Sequence, residues 1–387
     1  GTLSYTAVSD TAANLTSNTG GYVTGSKNVT FTTAASISQL STVDGFTTGT
    51  LTYTSITDTA ANLAADAATN YGNGTYVAPA GVTTITVSDA ATIEQLRVID
   101  AASTATISYT TIADTAANLA LNTGGYITGS HPVTVIDTPT VTQLIAIDAL
   151  TSGVVTATIS GTYATLSGLT GSGNAYTVTV TDAGILTANA NVIDAVTTGV
   201  ITATINDSAA NLAGLTGTGN NYAITASGTF DKTTANALDA KTTGVITGSV
   251  VDTSANCALL TSTNNAWAVA PSDTPTIAQL AAIDAATTGV ITYTAVSDTS
   301  ANLNTNSGSY VTGSKNVTFS DSPSISQLAT VDAFTTGTLT YTTVSDTAAN
   351  LASNAGGYVT GSKNVVVVGS ATISQLAAID AATTGVI

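Results

Sequence analysis

The sequence has few of the side chains on which disulfide-stabilised, nucleic-acid-binding and catalytic proteins depend. Its 387 residues include one Cys, one His, one Trp and no Met, and only 7% of them are charged. With Cys257 alone, no disulfide can form within the chain. Six Lys and Arg stand against 23 Asp and Glu, a net charge of −17. This charge disfavours nucleic acid and anionic membrane surfaces as partners.

Long apolar segments are missing as well. Hydrophobic residues make up 43% of the chain, but they are scattered at short intervals. No run approaches the roughly 18 apolar residues of a membrane span, and no signal peptide is visible. The sequence therefore predicts a chain that does not insert into a membrane.

Catalytic residue types are too rare to build an active site from unique positions. The chain has a single His (His131), a single Glu (Glu94) and a single Cys (Cys257). Cys257 occupies a place where other copies have Leu. A nucleophile, a base and an orienting group cannot be assembled from them. We predict no enzyme, with no catalytic, cofactor-binding or metal-binding residues. A polysaccharide-active enzyme with paired carboxylates is the least favoured alternative.

The chain consists of internal repeats of about 48 residues. One marker is the Asp of an S-D-T-A-A-N-L segment, replaced once by Gly. A second is the Asp of an [IVL]-D-[AG] segment. The first set is Asp10, Asp58, Asp114, Gly161, Asp207, Asp252, Asp298 and Asp346; the second is Asp44, Asp100, Asp148, Asp194, Asp239, Asp284, Asp332 and Asp380.

These markers define eight copies and a single repeat domain over residues 1–387. The chain opens at Gly1-Thr2-Leu3 and closes at Gly385-Val386-Ile387, which is the same phase of the repeat. Because it also lacks an initiator Met, we expect it to be a fragment of a longer array.

The first half of a copy reads as a strand followed by a short helix. Apolar and polar residues alternate over Leu339–Thr342, which predicts a strand with one buried face. Asp346 is expected to be the N-cap of a helix over Ala348–Ser353. Asn354–Gly357 supplies the Gly-rich exit.

The second half of a copy repeats this order of a strand followed by a helix. Val359 and Asn364–Val368 read as strand, and Ala371–Ala382 reads as helix. A capping box marks the helix start, since a hydroxyl at the N-cap and a Gln three residues later can satisfy each other's backbone donors. Six copies carry it, at Ser36/Gln39, Thr92/Gln95, Thr140/Gln143, Thr276/Gln279, Ser324/Gln327 and Thr372/Gln375.

A half-unit of about 24 residues cannot bury its own apolar face, so it must stack on its neighbours. The predicted fold class is therefore a β-solenoid or α/β solenoid of stacked coils, with short parallel strands and short helices. Eight repeats of two half-units make about sixteen coils, or a rod on the order of 75 Å at the strand spacing.

The spacing between the two markers varies with one side chain. Copies with Tyr53, Tyr109, Tyr293 or Tyr341 have one residue more than copies with a small residue at the same place. We interpret the extra residue as a bulge that accompanies a large, inward-facing Tyr.

Asp, Asn, Thr and aromatic side chains each recur in a regular row along the copies. Each row could have a function, and each also has a structural explanation. Stacked Asp could bind Ca²⁺, but Asp is also a common helix cap. A ladder of Asn is expected to be buried and to satisfy backbone groups of adjacent coils, at Asn14, Asn62, Asn118, Asn211, Asn256, Asn302 and Asn350. Exposed Thr-x-Thr pairs resemble the arrays of ice-binding solenoids, although β-propensity explains them. One aromatic per copy could bind glycans or cover the core.

The D-T-A-A-N-L and [ST]-I-x-Q-L-x-x-[IV]-D-A segments resemble tandem repeats of very large bacterial cell-surface or type-I-secreted proteins of cyanobacteria and proteobacteria. The resemblance covers all eight copies and is weakest from Gly161 to Lys241. It implies an adhesin, a surface-layer component or an extracellular filament.

We therefore predict a non-enzymatic structural or adhesive repeat protein outside the cell, acting as a surface layer, filament or adhesin stalk. Expected partners are other copies, end to end or laterally, and cell-surface glycans, with no nucleic acid. No cofactor is expected, although Ca²⁺ stays open. The alternatives are a ligand-binding solenoid for Ca²⁺, glycan or ice, and a phage fibre.

Overall fold

The computed structural model describes residues 3–69, 76–262 and 264–387. It has an α/β architecture in which short parallel strands alternate with short helices. The chain divides into two compact units, residues 1–182 with 192–201 and residues 183–191 with 202–387. The expectation of one continuous repeat domain over 1–387 stays a prediction, and its opening Gly1-Thr2 lies outside the described residues.

The first unit contains ten strands and seven complete helices among its described residues. The strands are β1 (Ala7–Asp10), β2 (Asn28–Phe31), β3 (Leu51–Thr52), β4 (Ser55–Asp58), β5 (Thr84–Val87), β6 (Thr106–Ser108), β7 (Ile112–Asp114), β8 (Val133–Val135), β9 (Val155–Gly161) and β10 (Ala175–Val180). The helices are α1 (Ala12–Ser17), α2 (Ile37–Asp44), α3 (Ala60–Thr69), α4 (Ile93–Ala102), α5 (Ala116–Leu121), α6 (Val141–Asp148) and α7 (Tyr163–Leu166).

Every strand pairing recorded in this unit is parallel and joins strands that follow one another along the chain. β1, β2 and β3 form one sheet, and β4, β5 and β6 form another. β7, β8, β9 and β10 pair in the same consecutive way. Strands that pair with each other are about 20 residues apart, as in Val8 opposite Val29, with a helix between them.

Helix α8 (Thr187–Asp194) leads to the second unit, whose strands are β11 (Ile201–Ser208), β12 (Asn221–Phe230), β13 (Ile246–Asp252), β14 (Ala266–Pro271), β15 (Ala295–Asp298), β16 (Asn316–Phe319), β17 (Leu339–Thr340), β18 (Thr343–Thr347) and β19 (Asn364–Val368). Its helices are α9 (Ala209–Leu212), α10 (Lys232–Asp239), α11 (Ser254–Cys257), α12 (Ile277–Ala286), α13 (Ser300–Thr305), α14 (Ile325–Asp332), α15 (Ala348–Ser353) and α16 (Ile373–Ala382).

Pairing in the second unit follows the same rule. β11 to β14 pair in parallel and in order. β15, β16 and β17 form a parallel sheet, and β18 pairs with β19. Val and Leu side chains from strands and helices are buried. Leu328, Val344 and Leu351, for example, belong to one apolar cluster. Each such burial stabilises by about 1.5–3 kcal/mol before its costs are counted.

The predicted elements of the last copy are partly right. Helix α15 and strand β19 have the predicted bounds, but Val359 lies in a bend. α16 begins at Ile373, two residues later than predicted. The strand predicted over Leu339–Thr342 is broken at Tyr341 and resumes as β18, which runs to Thr347.

All six predicted capping boxes are confirmed. In each, the N-cap hydroxyl accepts the backbone N–H of the Gln, whose side chain accepts the N-cap backbone N–H. At α14 these bonds join Ser324 and Gln327 at 3.2 and 2.9 Å. The pairs fix the helix starts locally because they satisfy donors that a helix leaves free.

The interpretation of the Tyr copies is right in part, since the strand is interrupted beside these tyrosines, but Tyr109 and Tyr293 are only half-buried and the bulge itself stays a prediction. Tyr53 and Tyr341 are buried and lie at breaks between strands. Where Ala157 or Ala203 takes the same place, β9 and β11 run unbroken, and Tyr176 or Tyr222 of the next strand is buried opposite it. Each kind of copy thus buries one large aromatic ring. In the Tyr copies the ring lies at a break between strands, and in the Ala copies it comes from the next strand.

Candidate functional site

Most acids of the first Asp row hold a helix to a strand that follows it in the chain. Asp346 accepts the N–H of Thr347 and the Nδ2 of Asn350 at Oδ1, at 2.7 and 2.8 Å. Its Oδ2 accepts the N–H of Ile325, the first residue of α14, at 3.0 Å. One carboxylate therefore serves two segments 21 residues apart.

The expectation that these Asp are helix N-caps is wrong. The N-cap of α15 is Thr347, whose Oγ1 accepts from Asn350. Asp346 stays in the extended strand one residue earlier. The reason is geometric, since from that place its second oxygen can reach another helix.

The cross-segment bond recurs in both units. Its N–H donors belong to the first residue of a helix, and its acceptors are Oδ2 atoms of the first Asp row. The pairs are Ile37–Asp58, Ile93–Asp114, Thr187–Asp207, Lys232–Asp252, Ile277–Asp298 and Ile325–Asp346, at 2.8–3.0 Å. A helix N-terminus favours a negative charge, so each bond is charge-assisted.

A further group of acids does the same for the other helices. Their carboxylates accept the first helical N–H of the helix that precedes them in the chain. The pairs are Ala60–Asp89, Ala116–Asp137, Tyr163–Asp182, Ser254–Asp273 and Ser300–Asp321, at 2.5–2.7 Å. In the first copy Thr33 Oγ1 takes this role for Ala12, whereas Asp231 instead caps its own helix α10.

These bonds lower the pKa values of several carboxyls. Burial by itself would raise the pKa of Asp346, but hydrogen bonds from Asn350, Thr347 and Ile325 hold it below its ordinary value. The Asn14 side chain and the Thr11 amide lower the pKa of Asp10. The acids thus act as hydrogen-bond acceptors in their ionised form. Within residues 3–69, 76–262 and 264–387 no three His, Cys, Asp or Glu side chains come together as a metal site.

The prediction for the Asn row is wrong in place and partner. Asn350 is exposed, and its side chain donates to Asp346 in its own segment. The buried Asn that join neighbouring segments are different ones. Asn174 accepts from the Val155 N–H and donates to Asp148, at 3.0 and 2.6 Å.

Sequence reasoning missed a Thr-Thr-Gly segment that stands at the start of most copies. Thr335 Oγ1 lies 3.1 and 2.6 Å from the carbonyls of Gly313 and Lys315, and it accepts the Gly337 N–H at 2.9 Å. A Cβ on Gly337 would lie 2.1 Å from the Lys315 oxygen. The Gly is needed because two backbones approach closely, and the recurrence of the tripeptide was the signal.

The eight residues of the aromatic row, one per copy, comprise the exposed Tyr22 and two larger groups. Tyr176, Tyr222 and Trp267 are fully buried. Four others are half-buried, and their hydroxyls donate to the second Asp row. The pairs are Tyr76–Asp44, Tyr126–Asp100, Tyr310–Asp284 and Tyr358–Asp332, at 3.1–3.3 Å.

His131 occupies a place that Lys fills elsewhere. Its ring stacks on Tyr109 with centroids 4.7 Å apart. Lys315 and Lys363 place their ammonium groups 4.6 and 4.4 Å from the centroids of Tyr293 and Tyr341. The shared feature is a cation or flat ring over a Tyr face.

The other singular residues have structural partners. Cys257 is buried at the end of α11, and burial raises the pKa of its thiol, so it is not an activated nucleophile. Glu94 forms an exposed ion pair with Arg97 at 2.6 Å.

In some copies a Thr of the Thr-x-Thr pairs lies opposite another threonine. Thr30 faces Thr52, and Thr318 faces Thr340. The rows are short, because β3 and β17 end at these residues, and Val366 replaces Thr in β19.

Comparison with protein-family models, with curated proteins and with solved structures found no match. No helix within the described residues is long and apolar enough to span a membrane. The fold and contacts above are therefore the basis of the functional argument.

Proposed function

We propose that the chain is a strand–helix solenoid of eight repeats that serves as a structural or adhesive module outside the cell. In this proposal it belongs with the tandem-repeat regions of large bacterial surface or secreted proteins, and it is not an enzyme. Its work is mechanical. It acts as a spacer in a surface layer, filament or adhesin stalk.

The observation that carries the proposal is the recurring bond from a carboxylate to the first N–H of the preceding helix. It joins residues 21 apart at Ile37–Asp58 and again at Ile325–Asp346. The separation is 20 or 21 residues in all six pairs, so these segments meet their neighbours in a similar way, which supports a solenoid. Parallel pairing of consecutive strands supports it as well.

The acids favour a structural role over catalysis. A general acid or base must be able to exchange a proton with a substrate. Here Asp207, Asp252 and Asp346 each accept several hydrogen bonds from backbone and Asn donors, which hold their pKa values low. A carboxylate committed to a helix start in this way is a poor proton donor.

The composition of the surface supports the proposal that the protein lies outside the cell and associates with itself. Charged residues are only 7% of the chain, and exposed threonines cover much of the strand faces. Such a surface is hydrated without relying on ion pairs. The excess of Asp and Glu opposes nonspecific collapse, and partners are expected to be other copies, end to end or laterally.

Electron microscopy and small-angle X-ray scattering of the purified chain, with and without EDTA, test the proposal. We expect a narrow particle with a longest dimension of about 75 Å from sixteen coils at the strand spacing, and filaments that survive chelation. A compact particle would contradict the solenoid. Rods that melt when EDTA is added would instead support a Ca²⁺-stabilised adhesin.

A second candidate function is glycan binding, which the half-buried tyrosines favour. Tyr126 and Tyr358 are half-buried, and their hydroxyls donate to the carboxylates of Asp100 and Asp332. Sugars stack on aromatic faces and donate to carboxylates. Titration with soluble bacterial polysaccharide, followed by tyrosine fluorescence, tests it. Binding that Tyr126→Ala and Tyr358→Ala remove, and that Tyr176→Phe leaves intact, would support this role.

A further inference from the structure

The Asp at the end of helix α6 lacks the tyrosine partner that Asp100 has. The Tyr126 hydroxyl donates to Asp100 Oδ2 at 3.2 Å, and these two residues are 26 apart. The residue 26 after Asp148 is Asn174, whose Nδ2 donates to Asp148 Oδ1 at 2.6 Å. Asp148 therefore keeps a partner on one oxygen, but the phenol ring and its hydroxyl are absent beside it.

The turn that would carry the ring is also shorter here. The carbonyls of Gly129 and Asn174 each accept, at 2.7 Å, a backbone N–H from the Thr-Ser-Gly or Thr-Thr-Gly segment that follows. Asn174 thus takes the structural place of Gly129, and the same step back that leads from Gly129 to Tyr126 leads from Asn174 to Gly171. A Cβ on Gly171 would lie 2.5 Å from Asp148 Oδ2. The turn therefore has no room for a ring of its own.

A cleft of about 510 Å³ lies between Asp148 and this shortened turn. Asp148, Ser152 and Val154 line one side of it, and Ser172 and Asn174 line the other. Its volume falls within the range of small-molecule sites in proteins, about 300–1,000 Å³. The cleft is thus large enough for a ligand of the size of the missing ring.

A buried side chain fixes the polar groups of the cleft. Asn174 is 2% exposed, its Oδ1 accepts the Val155 N–H at 3.0 Å, and its Nδ2 holds Asp148 Oδ1. Asp148 Oδ2, in contrast, accepts no hydrogen bond from residues 3–69, 76–262 and 264–387. Val154 is 45% exposed and adds an apolar wall. The carboxylate is therefore held in place with one oxygen open to a ligand.

The chemistry that fits this open oxygen is that of a hydroxyl group. The bond from Tyr126 to Asp100 shows that an O–H suits a carboxylate at this position. A sugar hydroxyl donates in the same way, its C–H groups pack on an apolar wall, and its other oxygens pair with hydroxyls such as those of Ser152 and Ser172. Because the chain has a net charge of −17, an acidic sugar is disfavoured and a neutral one is accepted.

We propose that the Asp148 cleft, formed by Asp148, Ser152, Val154, Ser172 and Asn174, binds one neutral sugar residue, with a sugar hydroxyl donating to Asp148 Oδ2. This site goes beyond the structural role and does not rest on it, because every lining residue lies in the first unit. It also differs from the tyrosine candidate, since the ligand takes the place of a ring instead of stacking on one. A single cleft of this size gives weak binding, with a dissociation constant on the order of 1 mM.

Amide NMR of the full chain, titrated with glucose, galactose and mannose, tests the site. At least one sugar should shift the backbone signals of Ser152 and Ser172 and the side-chain amide signals of Asn174, and the shifts should saturate. The uronic acid of the same sugar, which differs by one carboxylate, should bind at least about tenfold more weakly, because it meets the Asp148 charge.

Two variants remove the site in different ways. Asp148→Asn should weaken binding at least about tenfold, because its NH₂ group would face the sugar hydroxyl. Val154→Arg, at an exposed residue, should block the cleft with a long side chain that pairs with the intact Asp148 carboxylate. Glu94→Gln removes an exposed acid outside the cleft and is the matched control, which should bind as the wild type does. Thermal melts establish that each variant is folded.

The absence of shifts at the cleft with all three sugars, at about ten times the expected constant, would overturn the proposal. Binding that persists in both Asp148→Asn and Val154→Arg would do the same. Shifts around Tyr126 or Tyr358 alone would assign the sugar to the tyrosine candidate, and shifts with CaCl₂ but with no sugar would make the cleft a cation site; either result contradicts the proposal. Particle shape, measured by scattering, decides the structural role separately.

Discussion

Asp346 Oδ2 lies 3.0 Å from the amide nitrogen of Ile325, which begins α14. The same carboxylate serves Thr347 and Asn350 through Oδ1. Three donors thus converge on two oxygens. Asp346 therefore links strand β18 to the earlier helix α14.

Asp346→Asn should destabilise this region by about 1–3 kcal/mol, because an amide NH₂ would then face the Ile325 N–H. Hydrogen exchange of the Ile325 amide and thermal unfolding measure the effect. Asp10→Asn is the matched control, since both of its intramolecular donors bind the one oxygen that Asn retains. Equal losses in the two variants would contradict the assigned role of Oδ2.

Gly337→Ala should destabilise by about 2–3 kcal/mol or more, because its Cβ would lie 2.1 Å from the Lys315 carbonyl oxygen and force two backbones apart. Gly81→Ala is the control, since its Cβ would lie 3.8 Å from the nearest atom, the Tyr53 oxygen. Denaturant unfolding compares the two. A tolerated Gly337→Ala would show that the segments do not approach as described.

Removing one hydroxyl should have opposite effects at two buried tyrosines. Tyr341→Phe loses a 2.8 Å bond to the Tyr358 carbonyl and should cost about 0.5–1.5 kcal/mol. The Tyr176 hydroxyl is buried and has no partner among the described residues, so Tyr176→Phe should be neutral or stabilising. Thermal melts of the two variants, which differ by the same atom, decide the point. A loss at Tyr176 equal to that at Tyr341 would refute it.

Acid should unfold the chain. Hydrogen bonds lower the folded-state pKa of Asp10, Asp231 and Asp346, so the unfolded chain takes up protons first. The stabilisation is complete above about pH 4, the unfolded Asp value, and is lost as the pH falls through the folded values. A melting temperature that stays constant as the pH is lowered well below that value would contradict this.

Alkali should also destabilise the folded chain, because the pKa values of several tyrosines are raised in the folded state. Burial and the nearby Asp100 carboxylate raise the pKa of Tyr126 to about 12, and burial raises that of Tyr341. This stabilisation is present below about pH 10, the unfolded value, and disappears as the pH rises through the folded values. Phenolate absorbance and circular dichroism should change together. Tyr126→Phe should show a smaller loss in this range.

Local rules sufficed where the determining contacts are close in sequence. The capping box at Ser324 and Gln327 spans three residues, so its residue types predict its geometry. The helix over Ala348–Ser353 and the strand over Asn364–Val368 likewise follow from pattern and exit signals. The extra residue beside Tyr341 predicted a bulge, and the strand is instead interrupted there.

Tertiary structure decided what depends on a neighbour about 20 residues away. No local rule says whether Asp346 caps its own helix or reaches Ile325, because both satisfy the carboxylate and only stacking brings the second donor near. Whether the buried ring is Tyr341, at a break between strands, or Trp267, within a strand, depends on the volume that the facing segment leaves. Gly337 is required by the Lys315 carbonyl, which enters only when the segments pack. The sequence determined the repeat and its caps, and packing determined which partner each repeated side chain meets.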